Sequence, residues 1–247
     1  MKRIFPIFLT FTLVLGLSAC SSGASKPSNS QPLSASPGTE DVVEPDNSTN
    51  ASSSLTDSQS SAGSGSNILI AYFTMPENVD TAGVDAIAGA SIVIRDGEVM
   101  GNVEYMANVI QETVGGDLFK IETMQQYPLD HDLLIDHAAA EQDADARPEL
   151  ATHIESLDQY DTIILGYPNW WGDMPMAVYT FLDEYDFSGK TIIPFCPHGG
   201  SGFSRTENTI AELQPGATIS ENGLTISRNE VADSAEEVAA WANSLGL

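Results

Sequence analysis

The chain has 247 residues, with 9 Lys+Arg against 35 Asp+Glu, for a formal net charge of −26. Apolar residues make up 42%, enough to build one core and to exclude a wholly disordered chain. So acidic a chain repels phosphate backbones, which excludes generic nucleic-acid binding, and its 2 cysteines cannot form a disulfide framework or a Cys/His zinc cluster.

Met1-Lys2-Arg3 is a basic start to an apolar run from Ile4 to Leu17. The run is shorter than the ~20 residues of a membrane span and suits the apolar segment of a secretory signal. It ends in Leu17-Ser18-Ala19-Cys20, which resembles a bacterial lipobox. That resemblance implies cleavage after residue 19, diacylglycerol on the Cys20 sulfur, and lipid anchoring at the outer face of the cytoplasmic membrane. An ordinary signal with an accidental cysteine is the alternative. Lipid on Cys20 leaves Cys196 as the only free thiol.

Residues 21–66 hold 16 serines and no aromatic residue. Such a stretch cannot bury enough surface to offset its chain entropy and reads as a flexible tether. Its root-mean-square reach is on the order of 35–40 Å. Two glycosylation-like triplets within it, at Asn47 and Asn50, are read as chance. The organisation is then a signal peptide at 1–19, a lipidated Cys20 with tether at 20–66, and a folded domain at 67–247.

In the domain, Asn67 to Phe73 is a continuous apolar run, as expected of a strand buried on both faces. A helix follows over 102–114, with Asn102 as its cap and Gly115-Gly116 as its stop. Asp117 to Glu122 reads as a more exposed strand, Asp161 to Tyr167 as a second buried one. Pro175 opens a helix to about Tyr185 behind Asp173 as cap. Lys190 to Cys196 is the third buried strand, and Leu224 to Ile226 ends the sheet. Helices over 207–213 and 231–245 complete the set. Strands alternating with helices predict a doubly wound α/β fold, with ligands outside the carboxyl ends of the strands.

The loops at those ends carry the chemistry. Gly166-Tyr167-Pro168-Asn169-Trp170-Trp171-Gly172-Asp173 puts two adjacent tryptophans on a loop, suited to covering something flat. Pro197-His198-Gly199-Gly200-Ser201-Gly202-Phe203 has three glycines in four residues, so its backbone N–H groups can approach a ligand closely. Thr74 ends the first strand, and the helix start at Gly101-Asn102-Val103 offers free N–H groups and a positive dipole end to a phosphate.

These residues resemble the flavodoxin-like family over essentially all of 67–247. The subgroup that fits best comprises bacterial flavodoxins with a GYPxWW segment, here Gly166 to Trp171, and an HGGSG loop, here His198 to Gly202. The Asp-Phe-Ser-Gly-Lys run at 186–190 is shared as well. The resemblance implies a five-stranded parallel sheet of order 2-1-3-4-5 that binds FMN noncovalently. It implies that Thr74, Gly101, Asn102 and Val103 hold the phosphate. Pro168, Asn169, Trp170, Trp171 and Gly172 then line the flavin ring, Gly199, Gly200 and Gly202 face its pyrimidine edge, and His198 and Phe203 stand nearby. The family includes electron carriers and NAD(P)H-linked reductases. The location beyond the membrane and the acidic charge of the domain lead to the expectation of a redox partner protein, basic or membrane-linked. The other reading is a scaffold without FMN that binds another ligand or a protein.

Departures from the family pattern fall in two places, the phosphate loop and Pro197. The phosphate loop is split by 26 residues, Met75 to Met100, and Val103 replaces a second hydroxyl. Within the insertion, Ile92 to Val99 brackets an Asp96-Gly97 turn and predicts a hairpin. Pro197 stands where a Thr or Ser donor is expected. The acid-flanked His131 and His137 are read as solvated surface and Cys196 as an inert buried thiol. No hydrolase Gly-x-Ser-x-Gly signature is present.

Overall fold

A computed structural model describes residues 67–75 and 91–247. The signal, Cys20, the tether and residues 76–90 of the insertion lie outside the described residues.

Strand β1 (Ile68–Tyr72) is buried along its whole length. Leu69 and Ala71 join the core on one face of the sheet, Ile68, Ile70 and Tyr72 the core on the other. That two-sided burial is why the run is continuously apolar rather than alternating. Strands β2 (Ile92–Arg95) and β3 (Glu98–Gly101) form the expected hairpin. Asp96 and Gly97 both have positive φ at its turn, 54° and 86°, the signature of a type I′ connection.

Helix α1 (Asn102–Val114) leads to β4 (Asp117–Lys120), and α2 (His131–Asp143) to β5 (Thr162–Gly166). Helix α3 (Met176–Glu184) precedes β6 (Thr191–His198), and α4 (Thr206–Leu213) precedes β7 (Thr218–Ile219) and β8 (Leu224–Ser227). A single 3-10 turn, Val231–Asp233, opens onto α5 (Ala235–Ser244).

The sheet runs β4-β1-β5-β6, then β7 and β8, and every pair in it is parallel. Numbering the parallel positions along the chain gives the order 2-1-3-4-5, with the fifth position shared by two short strands. Strand β7 pairs with Thr191 and Ile192, and β8 with Phe195 to His198. Pro194 falls in the gap between them, where its missing N–H leaves no ladder bond broken.

Helices α1 and α5 cover one face, contributing Val103, Met106, Ile110, Val238 and Ala242 to its core. Helices α2, α3 and α4 cover the other, with Leu134, Phe181 and Ile210. Glycines adapt the layers at one tight point: a Cβ on Gly166 would lie 2.1 Å from the Phe195 ring.

Two local expectations are corrected. Gly101 is the cap of α1, and Asn102 is its first helical residue, turned to the inside. Asp173 does not cap α3, whose cap position is Pro175. Its carboxylate is held instead by the Met174 N–H and the Tyr179 hydroxyl. Around His131 and His137 the chain forms helix α2, on which His131, Asp132 and Asp136 are exposed.

A cleft at the carboxyl ends of the strands

A cleft of about 340 Å³ opens where the strand order reverses, the position expected for a doubly wound sheet. Its floor is laid by Thr74 and Met75 after β1, Pro168 and Asn169 after β5, and Pro197 and His198 at the end of β6. One wall is the start of α1 with Ser91, Asn102 and Val103. The opposite wall is α2, through His131, Leu134, Ile135 and Ala138, capped by Trp170 and Trp171. Gly199 and Arg228 complete the rim.

The hairpin closes the split in the sequence. Strand β3 returns the chain so that Gly101 abuts Thr74, and the Asn102 N–H donates to the Ser91 carbonyl at 2.9 Å. The α1 start therefore sits beside the end of β1 although 26 residues intervene. Asn102 is 3% exposed, and neither its Nδ2 nor its Oδ1 has a hydrogen-bond partner among the described residues. A buried amide with both ends unsatisfied carries a desolvation penalty of about 1–3 kcal/mol per group. The arrangement is that of a side chain waiting for a polar ligand at a helix N-terminus. Val103 is buried and shared between this wall and the core.

The tryptophan loop is a tight turn. Trp170 and Asp173 exchange both backbone hydrogen bonds, each at 2.9 Å, and Trp171 and Gly172 between them have φ of 53° and 78°. This is a type I′ geometry, in which the first central position favours Asn, Asp or Gly. A tryptophan there is strained, and such strain persists where the surroundings impose it. The Trp171 indole N–H donates to the Ile135 carbonyl at 3.2 Å, yet the residue is 63% exposed. Trp170 turns the other way: its ring meets Phe73 and Tyr127 edge-on, with centroids 5.5 and 5.8 Å apart. Gln142 on α2 donates to its carbonyl at 2.8 Å.

Asn169 ties this loop to the glycine loop. Its Nδ2 donates to the Gly202 carbonyl at 2.8 Å and to Ser204 Oγ at 2.9 Å, while its Oδ1 accepts from the Gly172 N–H. Gly101, Gly172, Gly200, Gly202 and Phe203 are not among the residues that line the cleft. Phe203 packs on the core and Gly223. His198 Nδ1 accepts from the Gly200 N–H at 2.8 Å, so the neutral ring carries its proton on Nε2.

Burial, then the Asp173 carboxylate, pushes the Tyr179 hydroxyl up to about 12. Burial likewise raises the Cys196 thiol far out of the reactive range. His137, which suggested a metal ligand, is paired with Glu141 at 3.2 Å.

The sequence reading missed Met75, Ser91, the α2 wall and Arg228. Helix α2 carried one usable signal, Asp130, whose side chain caps it by accepting from the Leu133 N–H at 3.2 Å.

Sheet order and cleft define a doubly wound α/β protein with a cleft at the topological switch point. A family model described as flavodoxin matches residues 92–245, and the chain belongs to the flavodoxin family. Among solved structures, a candidate flavoprotein of Bacteroides eggerthii is 23% identical, with a TM-score of 0.53, covering 73% of this chain and 98% of that one. One from Bacteroides uniformis is 27% identical, with a TM-score of 0.50 and coverages of 70% and 99%. A Lactobacillus acidophilus flavoprotein solved in complex with FMN is 20% identical, with a TM-score of 0.46 and coverages of 67% and 96%. No curated protein matches the sequence.

Proposed function

We propose that the domain binds FMN noncovalently in this cleft and serves in electron transfer or in reduction of a small acceptor. The observation that carries this is Asn102, a buried amide without a partner among the described residues, at the start of a 13-residue helix. The phosphate fits there: N–H groups of the first turn, the Thr74 hydroxyl and the Asn102 amide supply donors without any cation. When bound, FMN supplies one- and two-electron chemistry. The chain's own residues bind and orient. Trp171 covers the cleft, Pro168 and Leu134 exclude water, and the Asn169 bridge fixes the spacing of the two loops. His198 offers its Nε2 proton at the rim.

The anchoring belongs to this proposal too. Diacylglycerol on Cys20 supplies two acyl chains, enough for stable attachment where one is marginal, and the tether lets the domain reach tens of ångströms from the membrane. Net charge supports a basic or membrane-linked redox partner, since the chain from residue 67 has 6 basic against 30 acidic residues.

The test is reconstitution of the detergent-solubilised full chain with FMN and with riboflavin. A flavin absorbance band that co-migrates with the protein is expected. Asn102→Leu should weaken FMN at least tenfold and riboflavin, which lacks the phosphate, by less than twofold. Absence of any flavin band leaves the FMN-free module, a reading that the Asn102 N–H already engaged by Ser91 favours.

A further inference from the structure

The wall of the cleft continues inward as a file of touching aromatic rings. Trp170 lines the cleft, and its ring meets Tyr127 with centroids 5.8 Å apart. Tyr127 is buried and also meets Phe73 at 5.5 Å and His137 at 5.2 Å, both edge-on. Its hydroxyl donates to Glu141 Oε2 at 2.8 Å, and Glu141 Oε1 lies 3.2 Å from His137 Nε2. The Glu141 side chain is 13% exposed and that of His137 31%. Contacts thus run from a cleft tryptophan through a buried phenol to a nearly buried carboxylate, and end at an imidazole open to water.

Other tyrosines lack part of this arrangement. Tyr160 donates to Asp117 and Tyr179 to Asp173, yet among the described residues the ring contacts of Trp170 are with Phe73 and Tyr127. Tyr179 also carries the Arg147 guanidinium 5.0 Å over its ring, a charge that opposes loss of an electron. Burial first, then the hydrogen bond to Glu141, holds the Tyr127 hydroxyl well above the ordinary phenol range. The phenol is therefore neutral at rest, and the carboxylate is placed to take its proton when an electron leaves.

We propose that Tyr127 is a redox-active tyrosine, which returns an electron to oxidised Trp170 while its phenol proton passes to Glu141. The relay rests on these contacts alone, whichever ligand the cleft takes. A one-electron oxidant, such as an oxygen-derived radical, removes an electron from Trp170 and is itself reduced. Tyr127 then passes one electron to the indole radical cation, its O–H bond breaks, and an O–H bond forms at Glu141 Oε2. A tryptophan radical cation is a stronger oxidant than a phenoxyl radical whose proton has gone to a base, so the transfer runs downhill. The indole is neutral again, and the products are a phenoxyl radical and a carboxylic acid, which leave no new charge buried at the phenol. The oxidising equivalent has moved out of the cleft wall to a place where it cannot attack a ligand held there.

The experiment oxidises the full chain, without added flavin, with a ruthenium(III) polypyridyl complex generated by a laser flash; an acidic protein draws in this cationic oxidant. Transient absorption and freeze-quench electron spin resonance follow the radicals, and ring-deuterated tyrosine identifies the tyrosyl signal. In wild type the tryptophanyl signal should give way to a tyrosyl one. Tyr127→Phe should cut the tyrosyl yield several-fold and prolong the tryptophanyl signal, and Trp170→Phe should cut the tyrosyl yield as well. Glu141→Gln removes the proton acceptor and should slow the conversion by about tenfold or more. Tyr160→Phe and Tyr179→Phe should keep the wild-type yield. Deuterated water should slow the conversion in wild type, a readout that needs no variant to fold. An unchanged tyrosyl yield in Tyr127→Phe or in Trp170→Phe overturns the proposal. So does a conversion rate indifferent to both Glu141→Gln and deuterated water, which would show that the proton does not move to that carboxylate.

Discussion

Thr74 and Gly101 interlock although 26 residues separate them: a Cβ on Gly101 would lie 1.9 Å from Thr74 Oγ1. The glycine is demanded here by close approach, since its φ of −71° suits any residue. Gly101→Ala must therefore displace Thr74 or the start of α1. The expected outcome is a loss of about 1–3 kcal/mol in stability, the usual range for overpacking, together with weaker FMN binding. Urea denaturation and flavin titration measure the two, and unchanged values for both would show that the junction is looser than drawn.

The two tryptophans predict opposite stability effects. Trp171 pays for an unfavourable φ while burying little, so Trp171→Asn, suited to a type I′ turn, should raise stability by about 1 kcal/mol. It should also weaken FMN several-fold by uncovering the cleft. Trp170→Ala removes a ring packed on Phe73 and Tyr127 and should cost about 3 kcal/mol. If Trp171→Asn leaves the FMN dissociation constant unchanged, the cover is Trp170 alone.

Much of this was legible because parallel strands buried on both faces leave an unmistakable run of apolar residues, as at Ile68–Tyr72 and Thr162–Gly166. Helix α2 was not, because only Leu134 and Ala138 on it are buried and the acids around them erase the periodicity. The two-residue strand β7 is too short for any pattern. Arg228 leaves no signal in the sequence, because β8 reaches the cleft only by its pairing with the end of β6. The contact between Thr74 and Gly101 is tertiary, and only the family resemblance placed those residues together in advance.

Alkaline stability should report the brace behind the tryptophan turn. Tyr179 donates to the Asp173 carboxylate at 2.9 and 3.0 Å, and its hydroxyl is raised to about 12 against about 10 in an unfolded chain. Between those values the folded state holds the proton and the unfolded state has lost it. The contribution is therefore complete below pH 10 and disappears as pH rises through 12. Tyr72, also raised to about 12 by burial and then by Glu104 and Glu122, adds to the same window. Denaturation midpoints from pH 8 to 12 should fall less steeply in Tyr179→Phe than in wild type. Parallel curves would mean that Tyr179 titrates normally.

Lipid attachment has a direct readout. Cys20→Ser should abolish incorporation of a labelled fatty acid and leave the protein unprocessed or released to the medium. Equal labelling of wild type and variant would remove the anchor from the proposal.

Salt dependence separates a carrier from a nicotinamide-linked reductase. With 6 basic and 30 acidic residues from position 67 on, the domain repels an anion such as NADPH and attracts a basic protein. Arg228 is a local exception at the cleft, but one exposed guanidinium is screened within a Debye length of about 10 Å at 0.1 M salt. The anchoring proposed at Cys20 would place the domain beyond the membrane, where no pool of reduced nicotinamide is expected. In anaerobic stopped flow, NADPH should bleach the FMN-loaded protein slowly, and added salt should quicken that reaction by screening repulsion. Reduction by a basic or membrane-linked donor should be fast and should slow with salt, because steering is what salt removes. Bleaching by NADPH within milliseconds to seconds at modest concentration would identify a reductase and overturn the carrier assignment.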